Sequence, residues 1–187
     1  KSLFFKFSNE KILENTEYGQ IIKRKTETSR IYILGVLASE EPNFLFSYNI
    51  TNLTKSMRER LNRERLNVGR TTYTERVKSI IKSSKSEEVH NLLIEQIYHR
   101  KSGDQCDELG WNDIEQLALN LLNKHENIVY FTEEEVQNSP DVVNHARSDG
   151  YEPIIISNKQ RQKLQDQMDL GGPEVRISDI YVKEYEY

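Results

Sequence analysis

The sequence has little of several residue types, and each shortage excludes a class of protein. Its one cysteine, Cys106, rules out an internal disulfide framework and suits a reducing, cytoplasmic location. Its 8 glycines and 4 prolines are too few for a low-complexity linker. No apolar run reaches about 18 residues and no signal-peptide pattern occurs, so we expect no membrane association. The 187 residues predict one large globular domain or two small ones.

Motifs for nucleotide phosphates and for metals are also missing. The sequence has no GxxxxGK[ST], GxGxxG or Asp-x-Gly-x-Gly run. Its four histidines lack the spacing of zinc ligands on one helix face. Cys106 lies beside acidic residues and has no local signature of a catalytic cysteine. We therefore expect this chain by itself to hold no cofactor or metal and to have no enzymatic activity.

The first third of the chain is rich in β-branched and aromatic residues, which favour strands. We predict strands at Leu3–Phe7, Tyr18–Lys25 and Arg30–Ala38, and a fourth that begins at Phe44. Together these four strands predict a small β-sheet.

A basic helix follows the last of these strands. Asn52 or Thr51 is expected to cap it, because a side-chain oxygen there can accept from a free amide of the first turn. The helix is recognised from apolar residues at helical spacing, Ile50, Leu53, Met57 and Leu61.

Positive charge is concentrated in and after this helix. Between Lys55 and Lys85 there are ten basic and three acidic residues, although the whole chain has a net charge of −4. A basic patch on an acidic protein indicates an anionic partner, and the alternative is a solvated helix face without a partner.

Helical periodicity continues through the middle of the chain. We expect helices that begin near Thr74, at Ser86 and at Asn112, where capping residues precede apolar stripes.

The last third returns to strands. Asn127–Thr132 and Tyr151–Ser157 are predicted strands, separated by a helix in which we expect an interruption at Pro140. A strand, a helix and a strand of these lengths predict a parallel βαβ crossover. After a further helix, Val175–Tyr181 is a candidate third strand.

These patterns predict an α/β (α+β) fold in three segments. Residues 1–70 form a small β-sheet unit with the basic helix, 71–125 a helical connector, and 126–187 a second, three-layer α/β unit with the crossover. The chain begins at Lys1 without a methionine, so we expect a piece of a longer protein.

Two runs, LFSYNIT and ENIVYFTEEEVQNSPDVVNHARSDGYEPIIIS, resemble the middle segment of the ninety-kilodalton heat-shock chaperones. These chaperones belong to the GHKL superfamily of ATPases, with gyrase, histidine kinases and MutL, and the chain looks closest to uncharacterised bacterial members of it. The resemblance implies a transducer module that couples the nucleotide state of an N-terminal ATPase domain to conformational change. The parent protein would then bind ATP and Mg²⁺, have that ATPase domain as its partner, and could be a homodimer.

The resemblance also implies roles for individual residues. Asn49, Thr51 and Asn52 would lie beside the nucleotide. The chaperones place an arginine after the serine of their motif, where this chain has Asn52. The nearest basic residue that could replace this arginine is Lys55, and the next is Arg58. Either would be the cation that contacts the γ-phosphate.

Two alternatives need no nucleotide. The first is a nucleic-acid-binding module in which the basic patch contacts phosphates. Its candidate contacts are Arg60, Arg63, Arg65 and Arg70. The second is a protein-interaction scaffold, with a client that the sequence does not identify.

Overall fold

The computed structural model describes residues 3–63 and 68–181. It confirms the α/β class, because a five-stranded sheet and a two-stranded parallel sheet are combined with helices. The chain divides into two compact units, Lys1–Glu115 and Gln116–Tyr187. Within the described ranges, no helix is both long and apolar enough to cross a membrane.

The first unit is built on a five-stranded sheet with the order β1-β2-β5-β3-β4. Neighbouring strands are antiparallel except β3 and β5, which are parallel. Every residue of β5 is buried, as expected for a central strand that is covered on both faces. The strands are Ile12–Asn15 (β1), Gly19–Ile22 (β2), Ser29–Ile33 (β3), Val36–Glu41 (β4) and Ser47–Ile50 (β5).

The predicted strand Arg30–Ala38 is wrong, because the structure folds it into the β3–β4 hairpin. Leu34 and Gly35 form the turn with φ angles of 50° and 80°. Two consecutive positive φ angles are typical of the tight turns that match the twist of a hairpin. Gly35 adopts this conformation without steric cost, and it was the local signal for a turn.

The predicted strand Leu3–Phe7 is also wrong. Phe5–Phe7 forms a 3-10 helix, and only Phe4 makes a β-bridge, to Val36 at the start of β4. A backbone hydrogen bond of 2.7 Å from Leu37 to the oxygen of Leu3 holds this segment against the edge of the sheet.

Four helices follow in the chain: Lys55–Arg63 (α1), Arg70–Lys82 (α2), Glu87–Tyr98 (α3) and Asn112–His125 (α4). Ser86 caps α3 as expected, since its hydroxyl accepts from the amide of Val89. Helix α2 begins four residues before the expected Thr74, with Gly69 in the capping position. Short 3-10 helices, His99–Ser102 and Asp107–Gly110, lie between α3 and α4.

Helices α2 and α3 lie within the first unit, and α4 crosses the boundary between the two units. Helix α2 packs on β2 and β5, and α3 packs on β1. Buried side chains of α2, including Tyr73, Val77, Ile80 and Ile81, cover the sheet. The structure therefore draws its boundary at residue 115, where the sequence suggested boundaries at 70 and 125.

The second unit contains the predicted crossover. Its elements are Ile128–Thr132 (β6), Glu133–Asn138 (α5), Pro140–Ser148 (α6), Glu152–Ile156 (β7) and Asn158–Asp169 (α7). Strands β6 and β7 are parallel, and the helix between them is interrupted before Pro140, so both predictions are confirmed.

The third strand predicted in the second unit is much reduced. In place of Val175–Tyr181, the structure has a single parallel bridge between Tyr130 and Ile177, a turn at Ser178 and helical residues at 179–181. Tyr181 instead packs its ring into the core of the unit, beside Val129 and Phe131 of β6.

Candidate functional site

The exposed face of helix α1 carries positive charges that the described part of the fold does not neutralise. Lys55, Arg58 and Arg63 are exposed, and their side chains form no ion pair or hydrogen bond with any described residue. Arg60 donates only to two threonine hydroxyls of α2, at 3.2 and 3.3 Å. Arg65, also predicted as a contact, lies outside the described residues. This face can receive an anion without breaking an existing ion pair.

A narrow apolar contact fixes the orientation of α1. Met57 is 2% exposed and is the one buried residue of the helix. The hydroxyl of Thr54 accepts a 3.1 Å hydrogen bond from the Met57 amide, so Thr54 caps the helix. The expected cap at Asn52 or Thr51 is therefore wrong. With Met57 turned inward, most of the helix circumference faces solvent.

The cations of α2 have intramolecular partners. Arg76 donates to the backbone oxygen of Asn52 at 2.9 Å and lies over a tyrosine ring. The Nζ atoms of Lys78 and Lys82 lie 3.7 and 2.5 Å from the carboxylate of Asp113. These contacts stabilise the unit and leave α2 less able than α1 to bind an external anion.

Arg70, another predicted nucleic-acid contact, holds two carboxylates. Its guanidinium contacts Glu41 through Nε at 3.1 Å and Asp107 through Nη2 at 2.8 Å. It also lies over the ring of Phe44, 5.1 Å from its centre. The buried hydroxyl of Tyr73 donates to Glu41, and burial together with this hydrogen bond raises the pKa of Tyr73. Arg70 thus has a structural role, and a role in binding stays a prediction.

The three residues expected beside a nucleotide do not form a common pocket of free side chains. Asn49 is buried, donates to Gln20 at 2.9 Å and accepts from the amide of Gly35 at 2.9 Å. Asn52 is exposed and binds an arginine of α2 through its backbone and side-chain oxygens. Thr51 is exposed. A nucleotide role for these residues stays a prediction.

The most unusual polar group of the first unit is Glu108, which the sequence did not single out. It is fully buried, and its carboxylate accepts 2.8 Å hydrogen bonds from the amide of Leu45 and the hydroxyl of Tyr48. The amide of Phe46 adds a longer bond of 3.3 Å. Burial raises the pKa of Glu108 to about 7 despite these donors. The group joins the 3-10 helix after Cys106 to the segment that enters β5.

The structure gives Cys106 no catalytic surroundings. Its thiol is buried, and burial together with the Glu108 carboxylate raises its pKa to about 12. A thiol with such a pKa is almost entirely protonated at neutral pH and is a weak nucleophile. Among the described residues, no group of three or more His, Cys, Asp and Glu side chains could hold a metal ion.

Comparison with known proteins finds a family model that matches the part of the chain that contains α1. Residues 1–87 match a family model described as the Mycoplasma pneumoniae MPN635 N-terminal domain. An uncharacterised Mycoplasma pneumoniae protein is 33% identical over 102 residues, which cover 54% of this chain and 28% of the relative. A second uncharacterised protein of the same organism is 40% identical over 72 residues, which cover 38% of this chain and 29% of the relative. No solved structure matches.

These findings correct the expected family. The run LFSYNIT falls within the segment that matches the MPN635 N-terminal domain, and no GHKL ATPase or heat-shock chaperone is among the similar proteins. The identification as a GHKL middle segment is therefore wrong. The error arose because a short strand, a polar turn and a basic helix occur in unrelated folds. The chain spans less than a third of the length of the curated relatives it matches.

Proposed function

We propose that the first unit binds nucleic acid through the exposed face of α1. The observation that supports the proposal is the contrast between two adjacent helices. The cations of α2 are held in intramolecular contacts, whereas Lys55, Arg58 and Arg63 of α1 have no described partner.

The chemistry of such a face suits a phosphate backbone. Clustered positive charges on one helix repel each other by a few tenths of a kcal/mol for each close pair. A polyanion removes this repulsion and releases its own condensed counterions as it binds. Glu59 is the one acidic residue of α1, so the helix remains strongly positive. The proposed partner is a nucleic acid of the cytoplasm, bound by its backbone without base-specific contacts to α1.

A transducer role in an ATPase has no support, because it depended on the GHKL resemblance that the comparisons contradict. A protein client remains the alternative, and the salt dependence of binding separates the two. For nucleic acid, the logarithm of the association constant falls linearly with the logarithm of the salt concentration, with a slope of about 0.7–0.9 per phosphate contact.

The test is fluorescence anisotropy with labelled oligonucleotides at 50–300 mM salt. We expect dissociation constants of about 1–100 µM at low salt and a steep salt dependence. The triple variant Lys55→Ala, Arg58→Ala, Arg63→Ala should bind at least tenfold more weakly, and its salt slope should be smaller by about 2–3.

The matched control removes the same charge from exposed positions of the second unit, Lys124→Ala, Arg147→Ala and Lys159→Ala. It should retain wild-type affinity. Equal losses in both triple variants would show that net charge alone governs binding and would contradict the proposal. Absence of binding by the wild-type protein at low salt would contradict it as well.

A further inference from the structure

The β3–β4 hairpin ends in an exposed apolar tip. Leu34 lies at the turn, and Val36 opens β4 beside it. The N-terminal segment pairs with this end of the hairpin through the bridge from Phe4 to Val36 and a 2.8 Å hydrogen bond from Phe5 to the oxygen of Gly35. We call the exposed hydrophobic side chains here the apolar tip: Leu3, Phe4, Leu34 and Val36.

Leu34 is an unusual residue for its position. A tight hairpin turn with positive φ at both central residues favours Asn-Gly, because asparagine tolerates the left-handed region and leucine does not. Yet Leu34 adopts a φ of 50° and leaves 60% of its surface exposed. An apolar side chain held there gains little from the fold itself.

The segment that contains α1 is attached to the hairpin that carries the apolar tip. The amide of Leu34 donates a 2.8 Å hydrogen bond to the oxygen of Ile50, the last residue of β5 before the short segment that leads to α1. After α1, the amide of Val68 donates at 3.2 Å to the oxygen of Ala38 in β4. The segment that contains α1 is therefore bonded on both sides to the β3–β4 hairpin, at the tip itself and two residues beyond Val36.

We propose that the apolar tip binds unpaired bases of a single-stranded nucleic acid whose phosphates contact α1. This inference rests on the function proposed above and specifies its substrate class. Single-strand binding combines a positive surface along the backbone with apolar or aromatic side chains that contact the faces of the bases. In a duplex the base faces are stacked and hidden, so the tip contributes only to a single strand.

The experiment compares a labelled 20-nucleotide single strand with the corresponding 20-base-pair duplex by anisotropy, at several salt concentrations. The wild-type protein should bind the single strand about tenfold more tightly. Leu34→Asn should remove most of this preference and leave both the duplex affinity and the salt slope unchanged. Asparagine suits the turn, so the variant should fold.

Two further variants sharpen the comparison. Phe4→Leu retains apolar volume and removes the ring, and it should weaken single-strand binding severalfold. Leu170→Asn changes a leucine of the second unit that is also highly exposed, and it should leave binding unaltered.

Different experimental results would contradict this inference and the proposed function. Equal affinity for single strand and duplex would overturn the role of the tip, and so would a single-strand preference that Leu34→Asn does not change. The proposed function would still stand in either case if the α1 triple variant loses binding. Loss of all oligonucleotide binding in the wild-type protein overturns both. Binding to vesicles with 30% anionic lipid that Leu34→Asn abolishes, without a single-strand preference, assigns the tip to lipid and overturns the inference.

Discussion

The hydroxyl of Tyr48 donates a 2.8 Å hydrogen bond to the carboxylate of Glu108, although the two residues are 60 positions apart in the sequence. Glu108 has no basic partner among the groups that contact its carboxylate, which are two backbone amides and this hydroxyl. A buried carboxyl group in such surroundings is sensitive to pH near neutrality.

The first prediction concerns this sensitivity. Burial raises the pKa of Glu108 from a usual value of about 4.5 to about 7, so the folded state holds the proton more tightly than the unfolded chain. Its contribution to the free energy of unfolding is therefore complete below pH 4.5 and is lost as the pH rises through 7. Urea unfolding between pH 5 and 8 should show that the advantage of wild type over Glu108→Gln declines by a few kcal/mol. Glu27→Gln, at an exposed position, is the control, and a pH-independent difference for Glu108→Gln would contradict the prediction.

The second prediction separates structural from binding cations. Arg70→Ala leaves the buried carboxylate of Glu41 without its guanidinium partner and should lower the free energy of unfolding by about 2–3 kcal/mol. This is less than for a fully buried pair, because the Arg70 side chain is partly exposed. Arg58→Ala removes an exposed cation and should change stability by less than about 0.5 kcal/mol. Thermal unfolding of both variants is the measurement, and equal melting temperatures would refute the structural role of Arg70.

The third prediction concerns a close contact between strands. A Cβ atom at Gly19 of β2 would lie 2.3 Å from the backbone oxygen of Asn49 and 2.8 Å from Cδ1 of Ile80. Backbone cannot yield as a flexible side chain does, so Gly19→Ala should destabilise the first unit by about 1–3 kcal/mol or more. Gly110→Ala, where the added atom meets open space, should be nearly neutral. A Gly19→Ala variant with the wild-type urea midpoint would show that β2 and β5 are not packed as described.

The fourth prediction tests the second unit. Arg176 donates to three backbone oxygens, those of Ile128, Asn123 and Glu126, at 2.9, 2.7 and 2.7 Å. A lysine cannot reproduce this planar set of donors, so Arg176→Lys should lower the free energy of unfolding by about 2 kcal/mol. Arg147→Lys at an exposed position should have little effect. Indistinguishable unfolding curves for the two variants would contradict the assigned role of Arg176.

The site could be predicted only in part. The excess of basic residues between Lys55 and Lys85 is visible in the sequence, and it directed attention to the segment that contains α1 and α2. Which cations lack partners was not visible, because the partners of α2 come from distant segments, as in the pairing of Lys82 with Asp113. The same holds for Arg70, whose partner Glu41 lies 29 positions earlier.

The sequence by itself determined a part of the local structure of this protein. The strands β6 and β7, the helix break before Pro140 and the cap at Ser86 follow from periodicity and from hydrogen bonds between residues a few positions apart. Only the tertiary structure decided the burial of Glu108, the pairing of Arg70 and the hydrogen bond between the exposed Leu34 and the end of β5. These depend on contacts between residues far apart in the chain, whose free energies exist only after the sheet and its helices have packed together.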